Sequence, residues 1–362
     1  MKNFPDIGVQ IPDILLPSQK IDLQKWSVIA CDQFTSQPEY WDQVAKFVGN
    51  ATSTFHITLP EIYLGKPEEA ERLKSTQVRM KEYLQNGTLL PYEGMIYVER
   101  SVDGRTRRGL MMALDLEKYD FSKGSQSLIR ATEGTILDRL PPRIKIREKA
   151  SLELPHILVL IDDPLDSVIG PVEKQSKELP LAYDFDLMQS SGHLTGRKVT
   201  DSTLEAQVIS SLEKLAEKET FLSKYKVSPD HGVLLFAVGD GNHSLATAKS
   251  IWEKLKPEVG MDHPARYALI ELENIHDKGL EFAPIHRLLF GVQSSPVQAM
   301  KDYFGVQISF ESAKDSKEMI KQVNSQVENK QKFGFISSDG FKVVTITSPQ
   351  SNLPVGTLQV FL

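Results

Sequence analysis

The sequence predicts a mixed α/β fold that ends in a smaller α+β unit. Three observations carry that expectation. Apolar runs of strand length alternate with amphipathic helical segments through most of the chain. The apolar run Leu234–Val238 stops at a two-glycine turn, and a helix follows at once. From Val297 the texture changes to a short helix, a strand, a polar helix and a hairpin. The expected divisions are an N-terminal α/β part at 1–125, a core at 126–292 that holds the glycine turn, and the small unit at 293–362.

The turn Gly239-Asp240-Gly241-Asn242-His243-Ser244 organises the rest. Glycines let a backbone approach an anion closely, and the N–H groups at a helix start point toward it. The helix that follows carries Leu245, Ala248, Ile251, Trp252 and Leu255 on one face and is expected to end before Pro257. Asn242 or Ser244 would cap it. Asp240 and His243 stand at the mouth of the turn, where a catalytic group is useful. The plain alternative is a glycine turn that serves tight strand–helix packing alone. The motif is neither a Walker A loop, since no Gly-Lys-Ser/Thr follows, nor a dinucleotide fingerprint, since the third glycine is missing.

Composition narrows the class. The 362 residues carry 42 basic and 48 acidic side chains, a formal net charge of −6. That balance disfavours a broad nucleic-acid footprint but allows a local basic pocket. A single cysteine, Cys31, excludes an internal disulfide and a thiolate-rich metal site. The start has no signal-peptide core, and no apolar run spans a bilayer, so no membrane partner and a cytoplasmic location are expected.

In chain order, Trp26 to Ala30 reads as a short strand. In the next segment Ser36 and Glu39 have capping-box spacing, with Pro38 in the first turn. Glu39 is then either a helix cap or a carboxylate held beside a polar loop. Thr54 to Thr58 reads as a strand and Pro67 to Leu84 as a charged helix. Met95–Arg100 and Gly109–Leu116 make a hairpin about Asp103-Gly104. Between Arg130 and Arg147 lie four arginines, with Arg139, Arg143 and Arg147 around Pro141-Pro142, which should interrupt any helix. Arginine forks suit phosphate or carboxylate, and surface salt bridges are the alternative. The run after Pro155 is a buried strand ending at Asp162-Asp163-Pro164. Those carboxylates either hold Mg²⁺ through water or make a turn. Leu181–Leu187 is a half-buried strand, and Ser202 with Glu205 opens a helix reaching about Ser223. Tyr267–Asn274 is a strand whose continuation ends at His286-Arg287. The apolar terminus, Val355 to Leu362, suggests a truncated chain.

Several of these segments together resemble one family. They are Cys31-Asp32-Gln33 through Trp41, Arg130-Ala131-Thr132-Glu133-Gly134, Arg139-Leu140-Pro141-Pro142-Arg143, Pro155-His156-Ile157, Tyr183-Asp184-Phe185-Asp186, the glycine turn and Pro284-Ile285-His286-Arg287. In this order, over nearly the whole chain, they resemble the domain of unknown function family 1015. Its central motif is similar to that of the ParB/sulfiredoxin-like superfamily, which includes free-serine kinases.

The resemblance implies a ParB/sulfiredoxin-like core with added mixed-sheet elements. It also implies transfer of a phosphoryl group from pyrophosphate, or a nucleotide, to the hydroxyl of free L-serine. In the roles it implies, Glu39 activates the serine hydroxyl, with Asp240 and His243 at the reacting centre. Gly241, Asn242 and Ser244 hold phosphate. Ser244 stands where arginine is more widespread, so Arg139, Arg143 and Arg147 become the candidates for neutralising charge. Glu133, His156, His286 and Arg287 contact substrate, and Mg²⁺ is held by Asp240 or by Asp162 and Asp163. Members usually continue past the equivalent of Leu362 into a basic segment. A homodimer is compatible with this reading, and nucleic acid is not an expected partner. The rival readings are a non-catalytic ParB-like nucleotide-binding regulator and a phosphatase using the same turn.

Overall fold

The strand Phe236–Asp240 lies inside a mixed sheet, eleven-stranded among the described residues of a computed structural model. The structure describes residues 2–132, 134–135, 137–154, 157–281, 286–325 and 327–362, without the side chain of Arg139. Across the sheet the order is Leu181–Asp186, His193–Lys198, Ile96–Val102, Arg105–Asp115, Tyr267–Asn274, Leu158–Ile161, Phe236–Asp240, Ile129–Ala131 and Tyr119–Asp120. Two short strands, Asn3–Phe4 and Val9–Gln10, join it through Arg105–Asp115. The first five strands of that order are antiparallel neighbours. Tyr267–Asn274 is parallel to Leu158–Ile161, which is antiparallel to Phe236–Asp240. Phe236–Asp240 in turn runs parallel to Ile129–Ala131.

The chain is mixed α/β, as the sequence predicts, and divides into two units, Met1–Glu281 and Phe282–Leu362. The expected boundary at residue 125 cuts through the large sheet, because the hairpin at 96–115 pairs with the strand at 267–274. One face of that sheet is the main core. Leu110, Met112, Val159, Phe236, Val238, Ile270 and Leu272 pack there with Leu204 and Val208 of helix Ser202–Leu215 and with Leu245 and Trp252 of helix Asn242–Val259. Each such side chain contributes roughly 1.5–3 kcal/mol when fully buried. A second cluster, Trp26, Ile57, Met80 and Tyr83, gathers Ala150, Leu152 and Leu154 around it.

Several local expectations are corrected. Trp26 closes a short helix, Leu23–Trp26, capped by the Asp22 carboxylate, and residues 27–30 join no strand. The Thr54 hydroxyl serves the backbone there, donating to the Trp26 carbonyl and accepting from the Val28 N–H, so no ladder is needed. Thr54–Ile57 is a 3₁₀ turn capped by the Ser53 hydroxyl, not a strand. Leu140–Arg147 is helical despite Pro141-Pro142, because both prolines sit in the first turn, where their missing N–H groups have no intrahelical acceptor to lose. Helix Pro38–Val48 has Gln37 as its cap residue with no side-chain cap bond, so Ser36 and Glu39 form no capping box. Asp201, not Ser202, caps Ser202–Leu215, and a separate helix, Lys218–Tyr225, follows. Helix Asn242–Val259 continues through Pro257.

In the second unit, Ile308–Ala313, Gly340–Thr347 and Lys330–Ser337 form an antiparallel sheet in that order. Helices Pro296–Phe304, Ser316–Val323 and Pro354–Phe361 accompany it. The apolar end is a packed helix: the Phe361 ring lies 5.5 Å from that of Tyr303 and 5.7 Å from that of Phe304.

Candidate functional site

The turn at 239–244 opens onto a polar chamber of about 440 Å³. Its backbone is shaped by two glycines. A Cβ on Gly239 would sit 3.0 Å from the Leu160 side chain, where the strand bulges between Val238 and Asp240. Gly241 has φ +77°, and a Cβ there would lie 3.0 Å from the Ile157 Cα. An L side chain meets both a strained dihedral and a backbone wall. Asp240 Oδ1 accepts the Gly241 N–H at 2.7 Å, which holds the bend. Gly241, not Asn242 or Ser244, is the cap residue, and as a glycine it brings no side chain of its own to the helix start. Asn242, His243 and Ser244 follow it on the chamber wall, so the start of the helix, with its positive dipole end, faces the chamber. Asn242 is 5% exposed, and its Oδ1 has no hydrogen-bond partner. Just past the neighbouring strand Ile129–Ala131, Thr132 donates its hydroxyl to the Val238 carbonyl at 2.6 Å, tying this segment to the base of the turn.

Three further segments close the chamber. Asp32 and Thr35 come from the loop before helix Pro38–Val48, and Arg143 comes from helix Leu140–Arg147. Glu61 stands on a 3₁₀ turn, Glu61–Tyr63, whose first N–H donates to the Cys31 carbonyl at 2.7 Å. Arg143 and Glu61 form an ion pair at 2.5 Å. Three carboxylates, Asp32, Glu61 and Asp240, thus share the chamber with Arg143 and His243. Charge of that sign suits a phosphate that arrives with its cation better than a bare anion.

A second cavity, about 150 Å³ and mainly apolar, adjoins it. Glu61, Arg143 and Ser244 line both. Cys31 faces this second cavity. Burial, aided by the charges of Asp32 and Glu61, pushes its thiol up to about 12, so it is a neutral wall rather than a nucleophile.

The expected site residues divide sharply. Asp240, Gly241, Asn242, His243, Ser244 and Arg143 line the chamber together. Glu39 is exposed in the first turn of its helix and is not among the lining residues. Arg147 is committed elsewhere: its guanidinium pairs with Glu153 and donates to the Ser244 carbonyl at 3.2 Å. Arg130, of the same cluster, holds the carbonyls of Ser127, Gly232 and Val233. Glu133, His156 and the side chain of Arg139 lie outside the described residues. His286 and Arg287 are exposed in the second unit, where Arg287 donates to Gln359 Oε1 at 2.7 Å.

The placement of Asp162 and Asp163 is corrected. Their strand runs antiparallel to Phe236–Asp240, so its C-terminal end is at the opposite end of the sheet from the glycine turn. Asp163 is buried, and its carboxylate accepts from the Val168 N–H at 2.9 Å and from the Ser167 hydroxyl. Asp162 accepts from Tyr225, from Lys224 at 2.9 Å and from His276 at 2.7 Å. Among the described residues no group of three or more His, Cys, Asp or Glu side chains is arranged to hold a metal ion. Asp32 and Thr35 fall within the Cys31–Trp41 motif read for family resemblance but carry no local signal of a role, and Glu61 falls in no motif.

The family model described as "Protein of unknown function (DUF1015)" matches residues 15–361. No curated protein and no solved structure matches the chain. Among the described residues no helix is long and apolar enough to cross a membrane.

Proposed function

The chain belongs to the DUF1015 family, and within it we propose a phosphotransferase that moves a phosphoryl group from pyrophosphate or a nucleotide to the hydroxyl of a small alcohol, L-serine being the first acceptor to test. One observation carries this reading: a helix start on a glycine turn faces a carboxylate–guanidinium pair, Glu61 with Arg143, across one polar chamber. Phosphoryl transfer needs little more than positioning and charge neutralisation. The amides of the turn seat the donor. Glu61, on the wall between the two cavities, accepts the hydroxyl proton as the acceptor oxygen forms its bond to phosphorus. The donor's bridging P–O bond breaks, and the leaving phosphate departs with that electron pair. Arg143 stays beside the equatorial oxygens, where a charge-assisted hydrogen bond is strongest.

A divalent cation fits this chamber. One or two of Asp32, Glu61 and Asp240 would hold it through charged oxygens, without the three together forming a preformed metal cluster, and the buried Asn242 Oδ1, unpartnered among the described residues, lies on the same wall. Mg²⁺ is commonly held by one or two carboxylates, its own waters and the substrate phosphates, which needs no dedicated protein cage. When bound it supplies neutralisation of the phosphate charge. The ParB/sulfiredoxin-like relationship of the core belongs to this proposal and rests on the motif order; a cytoplasmic setting is part of the same proposal.

Incubation of the protein with L-serine, Mg²⁺ and pyrophosphate, ATP or ADP, followed by phosphorus NMR, tests it. O-phosphoserine is the expected product. Donor binding without turnover of any hydroxyl acceptor favours the nucleotide-binding regulator. Release of phosphate from phosphoserine without the forward reaction favours the phosphatase.

A further inference from the structure

Free serine has no apolar group to place in part of this site. Its side chain is one hydroxymethyl group, yet the polar chamber continues past Glu61, Arg143 and Ser244 into the second cavity. We infer that the preferred acceptor carries an apolar group of about benzene size, seated in that second cavity while its hydroxyl meets the donor at Glu61. This rests on the phosphotransferase reading and narrows its substrate class to an alcohol with a compact branched or aromatic group.

Volume and wall chemistry both support it. The cavity measures about 150 Å³. Apolar-lined cavities of that size stay dry and accept benzene. Ile57, Met80, Leu152, Leu154, Ile157 and Leu269 supply the wall. Its charged members are already matched: Arg147 is held by Glu153 and the Ser244 carbonyl, and Glu61 by Arg143. The Cys31 thiol on the same wall is neutral. An apolar occupant therefore leaves these ion pairs intact, whereas a charged occupant would have to compete with them for its partner. The shared rim fixes the order of the parts. The ester oxygen of the product lies at Glu61, its phosphate lies toward the glycine turn, and its carbon skeleton lies in the apolar cavity.

Product-like esters test this without requiring turnover. Dissociation constants of inorganic phosphate, methyl phosphate and phenyl phosphate are measured by calorimetry on the full chain with Mg²⁺ present. Phenyl phosphate is expected to bind at least tenfold more tightly than methyl phosphate. Ala150→Phe, which fills the cavity, should bring that ratio to within twofold. Leu269→Ala, which enlarges it, should move the preference toward 1-naphthyl phosphate, and it gives an independent reading should Ala150→Phe fail to fold. Equal affinity for the methyl and phenyl esters overturns the inference and leaves the phosphate site standing. A preference that persists in folded Ala150→Phe also overturns it. Failure of all three ligands to bind removes the phosphotransferase reading itself.

Discussion

Glu61 and Arg143 meet at 2.5 Å on the wall common to the polar and the apolar cavity. They come from a 3₁₀ turn and a helix some eighty residues apart in sequence, and their side chains are 17% and 19% exposed. Both charges are partly withdrawn from water, so removing either one leaves the other less well matched. That makes Glu61, and not Glu39, the glutamate placed to take a proton. Glu61→Gln is expected to lower kcat by roughly 10²–10⁴-fold, the usual range for losing a general base. Glu39→Gln, on an exposed helix start, should stay within about twofold. Steady-state kinetics on both variants check this, and equal losses would remove Glu61 from the role.

Gly241 is the position where the turn tolerates no side chain. Gly241→Ala places a methyl group 3.0 Å from the Ile157 Cα at φ +77°. The strain is expected to cost about 1–3 kcal/mol in denaturant unfolding. Because the same displacement re-aims the first-turn amides, phosphate affinity should fall together with stability. Gly260→Ala is the control: it has the same φ, and nothing lies within 4 Å of its Cβ. It should lose stability through the dihedral alone and keep its phosphate affinity.

Much of the fold was legible because it is written in local periodicity. The strand–turn–helix at 236–259, the hairpin about Asp103-Gly104 and the helix at 69–85 follow from alternation, glycine punctuation and amphipathic spacing. Half of the chamber was legible for the same reason, since Asp240 to Ser244 are contiguous. The other half was not, because Asp32 and Glu61 reach the turn through tertiary packing of two irregular segments. Strand direction was equally hidden. A carboxylate at a strand's C-terminal end is near the site only if that strand parallels the motif strand, and Leu158–Ile161 is antiparallel. Proline misled at 141–142, where its effect depends on which turn of the helix it occupies.

Asp162 tests that correction directly. Burial works against its charge, but donors from Tyr225, Lys224 and His276 outweigh burial and hold the carboxyl down at about 2. A carboxyl depressed in the fold stabilises above its unfolded value, near 3.9, and loses that contribution as pH falls toward 2. Asp162→Asn should therefore cost on the order of 1 kcal/mol at neutral pH, allowing for solvent screening of a partly exposed group. Its stability should also change less than that of the parent between pH 4 and 2. Mg²⁺-dependent turnover should not move, since the residue lies at the other end of the sheet. A loss of Mg²⁺ affinity in calorimetry would restore Asp162 as a metal ligand.

Glu273 carries the opposite sign. It is fully buried on the strand Tyr267–Asn274, with Glu271 two residues away on the same face and Arg107 Nε 2.6 Å from its Oε1. Burial, then the charge of Glu271, raise its carboxyl from the usual 4.5 to about 8; Arg107 pulls the other way, and Asp277 adds to the rise. At pH 7 the folded protein therefore holds a proton that the unfolded chain has released. Stability from this group is complete below about pH 4.5 and is lost as pH rises through about 8. Histidines also titrate in this window, so the contribution of Glu273 is the difference in slope between the parent and a variant without this carboxyl. Unfolding free energies from denaturant titrations at pH 5 to 8.5 should fall for the parent, by an amount on the order of a few kcal/mol. They should fall less for Glu273→Gln, which keeps the shape of the protonated acid without its titration. Parallel slopes in the two proteins would show that Glu273 is ionised in the fold and that Arg107 prevails over burial.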